Sequence, residues 1–418
     1  MPSPGSSNSL HCFGRRCCAF SVVLILTLCL STPLLHAQTF TAVYSFAGGS
    51  DGAFPNGSLV ADSAGNLYGM TSEGGPANAG TIFMLSSSGV ESVLYSFTGG
   101  TDGNFPLSGL YRDPEGNLYG TTQNGGDPVC QCGVVFKLDT SHSLIVLHTF
   151  KGPEGKLPLS NVVMIKGSIY GTTRFGGTGC GDGCGVLFKI SELGSYTVLH
   201  HFAETDGPAP TDIIRDPDGN IYGVTFGGDN TTTHKLFYGA IFKFDPSENF
   251  STLFTFTSLA TGEFPIGRLI RDVNGNFHGT TIDGGAGCLK NDCGVVYRLS
   301  STGVQSILHD FHAVAAGITP EGGVVDLNGA LYGTTVNGGD ATCECGVLFS
   351  IGNTGQYTVL HRFTGLDGNS PQGELTLTND DTIYGTTFDG GTGTGCNNSS
   401  QGCGVIYKLT PAPETARP

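Results

Sequence analysis

The sequence predicts an all-β fold: a seven-bladed β-propeller with four antiparallel strands per blade, the ring closed by the N-terminal strand completing the last blade. Three observations predict it. A unit of just over fifty residues occurs seven times, each copy carries four short strand signals, and the two ends of the array complement each other. The repeat must be read first, because 418 residues would otherwise suggest two or three domains. The phenylalanine that ends the first element of each copy falls at 46, 97, 150, 202, 256, 311 and 363. A proline follows in every copy, as Pro55, Pro106, Pro158, Pro210, Pro265, Pro320 and Pro371. With 67 Gly and only 13% charged residues, the composition favours short strands and tight turns over helices.

The second copy shows the elements. Strand A is Gly109–Asp113, strand B Asn117–Thr122, strand C Gly133–Leu138 and strand D Ile145–Phe150, each bounded by Gly, Pro, Asn or Asp. Pro-Glu-Gly-Asn joins A to B as a tight hairpin in which Gly116 can take positive φ. Four such strands repeated radially describe a propeller blade, and packing on both faces explains why the strands are not cleanly amphipathic. The array opens with an orphan strand D, Phe40–Phe46, and ends with strands A to C of the seventh copy at Leu409. The first strand therefore completes the last blade and leaves no open sheet edge.

The units YSFTGGTDGNFP, GNLYGTTQNGG and GVVFKL resemble the Gloeo/Verruco (GloVer) tandem repeat of exported bacterial proteins, over roughly residues 40–410. The resemblance implies an extracytoplasmic repeat protein and brings no catalytic motif. Some relatives end in a sorting anchor; TPAPETARP has no hydrophobic tail, so anchoring by that route is not expected.

Residues 1–37 read as a signal peptide, with Arg15 and Arg16 before the apolar run Cys17–Leu30 and cleavage after Ala37. The run is too short to favour a membrane span, and Leu28 before Cys29 argues against lipidation. Residues 38–410 form the propeller and 411–418 a short disordered tail. The leader carries two of the 19 Lys+Arg and none of the 35 Asp+Glu, so the mature net charge moves from −16 to −18. Such a surface repels nucleic acid and anionic lipid. A monomer without cofactor or metal is expected, with a protein or glycan as partner.

Ten of the 14 cysteines lie beyond the leader, in five close pairs: Cys130/Cys132, Cys180/Cys184, Cys288/Cys293, Cys343/Cys345 and Cys396/Cys403. Each pair sits in one B–C loop, just before the glycine that opens strand C. In an exported chain this predicts local disulfides, whereas zinc would need four ligands together. Blades 1 and 4 lack cysteines, so the bridges stiffen loops that the fold can build without them. His148, His200, His309 and His361 share a strand D column with Tyr44, Tyr95 and Phe254. A ring that packs can be exchanged in that way, and a metal ligand cannot. The DPDGN string at Asp216–Asn220 is read as a turn, because its equivalents at Asp62 and Asp272 lack the central carboxylate and no glutamate completes a calcium loop.

The D–A and B–C loops emerge on one face. Seventeen acids against Lys151, Lys156, Arg174, Lys235 and Lys290 give it a charge near −12. It holds all the cysteine pairs and carries Phe175, Phe226 and Phe388 as candidate ligand contacts. Loops on a rigid scaffold are the usual seat of function. The leading expectation is a non-catalytic binding or scaffold module using this face. The alternative is an extracytoplasmic polysaccharide lyase or hydrolase on the same fold. Chemistry should break the repeat symmetry, since an acid or base is needed once. Asp229 and His234, in a blade 4 loop that departs from the repeat, are the pair to test.

Overall fold

A glycine in strand B faces an aromatic ring in strand C in every blade: Gly69 opposite Phe83, then Gly120/Phe136, Gly171/Phe188, Gly223/Phe242, Gly279/Tyr297, Gly333/Phe349 and Gly385/Tyr407. A Cβ on Gly171 would stand 2.5 Å from the Phe188 ring. Bare backbone is what lets the ring lie flat on the neighbouring strand.

The computed structural model describes residues 38–181, 183–229, 236–286, 293–396 and 402–410. The expected signal peptide and C-terminal tail lie outside them. The described residues form seven four-stranded antiparallel sheets. In blade 2 the strands are Tyr111–Arg112, Leu118–Thr122, Val134–Leu138 and Leu144–Thr149, within two residues of the predicted bounds at each end. Blade 4 adds a small ribbon, Gly228–Asp229 with Leu236–Phe237. Thr376–Leu377, Ile383–Thr387 and Val405–Thr410 make blade 7, and Thr39–Ser45 takes its outer edge. Thr39 pairs with Thr410 and Ser45 with Val405, so the ring closes as the sequence predicts.

The core is a set of seams between blades. The seven phenylalanines that follow strand D are at most 1% exposed. Each stands edge-on against the strand C ring of the next blade, from Phe46 on Phe83 to Phe363 on Tyr407, with centroids 5.1–5.4 Å apart. Aromatic pairs of this kind add about 0.5–1.5 kcal/mol beyond area burial. No helix among the described residues is long and apolar enough to cross a membrane.

Candidate functional site: the axial channel and its mouth

The seams position the channel mouth. The residue before each repeat proline is left-handed: Phe54, Phe105, Leu157, Ala209, Phe264, Thr319 and Ser370 have φ between 54° and 61°. Such conformations are costly for non-glycine residues and persist only when over-determined. Here the proline and a seam hydrogen bond determine them. Each N–H donates to a carbonyl of the preceding blade, on Cys403, Ala79, Cys132, Cys184, Tyr238, Cys293 and Cys345 in turn.

In five seams, then, the accepting carbonyl belongs to the second cysteine of a pair. Cys130–Cys132, Cys180–Cys184, Cys343–Cys345 and Cys396–Cys403 are bonded, with Cα atoms 5.1–5.6 Å apart. Cys293 is also disulfide-bonded; its expected partner Cys288 lies outside the described residues. The bridges therefore steady inter-blade joints as well as loops.

Much of the acid on this face is engaged in loop structure. Asp51 accepts from the Tyr44 hydroxyl at 2.9 Å and the Ala47 N–H at 2.8 Å. Asp102 takes the same bonds from Tyr95 and Thr98. His200 and His361 reach Asp206 and Asp367 at 2.9 Å, and His148 reaches Glu154 at 3.3 Å. The strand D ring thus clips the acid of the following D–A loop. The histidine rings also lie flat on the next blade, His148 on Tyr196 and His309 on Tyr357 at 3.8 Å, His361 on Phe40 at 3.5 Å. Burial holds His148 and His200 below the usual imidazole range and takes His309 down to about 4. The DxxGN aspartates are saturated as well: Asp216 accepts from Asn220 N, Asn220 Nδ2 and the Tyr222 hydroxyl at 2.8–3.1 Å.

The three candidate phenylalanines are half-buried and partnered. Phe388 stacks on Phe54 at 4.9 Å and Phe226 on Phe264 at 5.1 Å, each across a seam. Phe175 lies beneath Arg174 and Lys156 at 5.7 and 5.9 Å and lines a cleft of about 400 Å³. Phe226 lines the axial mouth. For Asp229 only the backbone pairing with Leu236 is described, and His234 lies outside the described residues.

Symmetry breaks at the axis. The residue just before the buried apolar side chain of strand A is Ser58, Gly109, Asn161, Asp212, Arg268, Gly323 and Glu374 in blades 1 to 7. The backbone N–H of Asn161 donates to Asp212 Oδ1 at 3.0 Å. Its Nδ2 donates to Asp212 Oδ2 at 3.3 Å and Glu374 Oε2 at 3.1 Å, and its Oδ1 accepts from the Gly109 N–H. The Asp212 and Glu374 carboxyls thus meet at the Asn161 amide. Burial pushes both upward, the Asp212 charge pushes Glu374 further, and Arg268 opposes it. Like carboxyls so placed resist carrying two charges together.

Above this neck, three residues that each follow a Gly-x-Thr of strand B line the axial mouth: Arg174, Phe226 and Ile282. Between them and the neck lies a cavity of about 360 Å³, whose wall also includes Glu321. Burial pushes the Glu321 carboxyl up to about 7. Beneath the neck, the A–B hairpins enclose a larger cavity of about 1110 Å³ that holds Arg268, Arg271 and Asp272. The neck can donate and accept protons and hydrogen bonds in a partly enclosed space, which suits hydroxyl groups.

Neither the neck nor Glu321 stands out in the sequence as a site. The signal was a strand A column whose charge changes from blade to blade. Blade 4 concealed it: Ile213 follows Pro210 by three residues, whereas Leu269 follows Pro265 by four, so an alignment on prolines misplaces Asp212.

Comparison with solved structures gives the same architecture. The extracellular domain of a candidate hybrid two-component system from B. thetaiotaomicron is 13% identical over 90% of this chain, with a TM-score of 0.55. That of a candidate one-component system from the same organism is 14% identical over 91%, with a TM-score of 0.52. The chain spans only 41% and 43% of those two chains. A gluconolactonase from Xanthomonas campestris is 11% identical over 90% of each chain, with a TM-score of 0.45. No curated protein matches the chain in sequence. The Gloeobacter/Verrucomicrobia repeat matches residues 32–184 and 165–396, and with seven copies of that unit closing one ring, the chain belongs to the Gloeobacter/Verrucomicrobia repeat family.

Proposed function

We propose that the protein is an exported binding module that seats a glycan in the axial mouth of the B–C/D–A face. One observation carries the reading: the polar residues that depart from the sevenfold pattern, Asn161, Asp212, Glu374 and Arg174, meet in one cavity. Its size, polar floor and phenyl wall fit the usual character of small-ligand sites. A protein partner would need a much wider surface. Export is supported by the leader pattern, by the bonded cysteine pairs and by the extracellular setting of the two propellers with TM-scores above 0.5.

The test is a glycan array with the purified exported protein, repeated with Phe226→Ser and Asn161→Ala. Retained binding by both variants would place the site elsewhere. A second reading, a polysaccharide-cleaving enzyme, draws on the paired carboxyls of Asp212 and Glu374, both pushed upward by burial. Incubating the captured glycan with protein separates the two. Chain cleavage that Glu374→Gln abolishes marks an enzyme, and an intact glycan marks a binder.

A further inference from the structure

Arg174 is the one cation among the described residues that line the axial mouth. Its guanidinium carbon lies 5.3 Å from the Phe226 ring centroid and 5.7 Å from that of Phe175. Its Nε is buried with no hydrogen-bond partner. Among the described residues no carboxylate forms an ion pair with it, although the chain carries a net charge of −16. Arg271 shows the contrast: on the opposite side of the neck it pairs with Asp216 at 3.2 Å. A desolvated cation without a counter-charge is unfavourable, and the two rings offset only part of that. The arrangement leaves the guanidinium fork free to meet an anion entering the mouth, its plane held by rings instead of by protein acceptors.

We infer that the axial mouth binds a sugar carrying a carboxylate, a uronate, with Arg174 gripping the carboxylate and Asn161 Oδ1 accepting from a hydroxyl. The inference rests on the glycan reading and names its chemical class. A planar guanidinium grips a carboxylate through two parallel hydrogen bonds, which a lysine cannot reproduce. Asn161, Glu374 and Glu321 line the same cavity as Arg174. Burial favours the protonated, donor form of Glu321, which complements sugar hydroxyls. A peptide carboxylate would use the arginine but leave this floor largely unmatched.

Titration calorimetry on the exported protein with three probes decides the matter. They are trigalacturonate, the same trisaccharide after reduction of its carboxyls to alcohols, and a short neutral peptide with a free C-terminal carboxylate. The acid should bind about 10- to 100-fold more tightly than its reduced form. Arg174→Met should erase that preference and leave the melting temperature near wild type. Arg174→Lys should restore only part of it. Equal affinity of the wild type for acid and reduced sugar overturns the inference while the glycan reading stands. No binding of either sugar overturns both. Tighter binding of the peptide than of trigalacturonate reassigns the mouth to a protein terminus. The wild-type comparison needs no mutant to fold.

Discussion

Glu321 and His309 titrate in opposite senses, and each makes its own prediction. Burial holds the Glu321 carboxyl protonated up to about pH 7, against an ordinary value of 4.5. Between those values the folded protein retains a proton that the unfolded chain releases. The associated stability is therefore present below pH 4.5 and lost as pH rises through 7. Glu321→Gln should raise the melting temperature at pH 8, by a margin of up to about 3 kcal/mol, and change little at pH 4. Coincident shifts at both pH values would show that the carboxyl is already solvated. His309 is held down to about 4 from 6.5, so its contribution is lost as pH falls from 6.5 towards 4. His309→Phe, copying Phe254 in the same column, should flatten that acid limb of the melting curve. An unaltered limb would mean that the ring gains its proton without leaving Tyr357. The histidine column was legible as packing because Tyr and Phe replace His in other blades. Asp212 and Glu374 were not, because no local pattern marks a residue whose importance comes from converging with strands some 160 positions away.

The strands themselves were legible. Their bounds follow from glycine, proline and the aromatic columns, and the clearest departures are the two-residue strands A of blades 2 and 7. The strand B glycines show why the pattern is strict. Gly171→Ala would press a methyl group into the Phe188 ring without any positive φ to confuse the result. It should cost about 1–3 kcal/mol in a denaturant titration, and adding Phe188→Leu should recover part of that. Additive effects of the two changes would deny the packing. The cysteine pairs were legible as bridges. The part played by their second carbonyls was not, because it depends on the following blade. Non-reducing digestion of the exported protein should yield five intrablade bridges and no free thiol; free thiols or bound zinc would reverse the assignment. The stacked pairs Phe54/Phe388 and Phe226/Phe264 alter the expected phenyl face. Phe388→Ser should now lower stability by about 1 kcal/mol or more, whereas a face-only role would leave the melting curve unmoved.

At the scale of the molecule, ring closure makes the first strand indispensable. Deleting residues 38–46 should expose the edge of Val405–Thr410, remove Phe46 from its seam with Phe83, and lower the melting temperature sharply. An unchanged monomeric melt would refute closure. The same pairing also imposes an order in time. Thr39–Ser45 leaves the ribosome some 360 residues before the strand it needs. At 5–20 residues per second that delay is roughly 20–70 s. Throughout it the leading strand has an unpaired edge and Phe46 has only part of its eventual seam. Six blades can stack as they emerge, but the circle cannot lock until the final strand arrives. Chaperones that shield nascent strands should therefore favour the N-terminal segment, and a truncation that removes only Val405–Thr410 should leave a nearly finished, aggregation-prone arc.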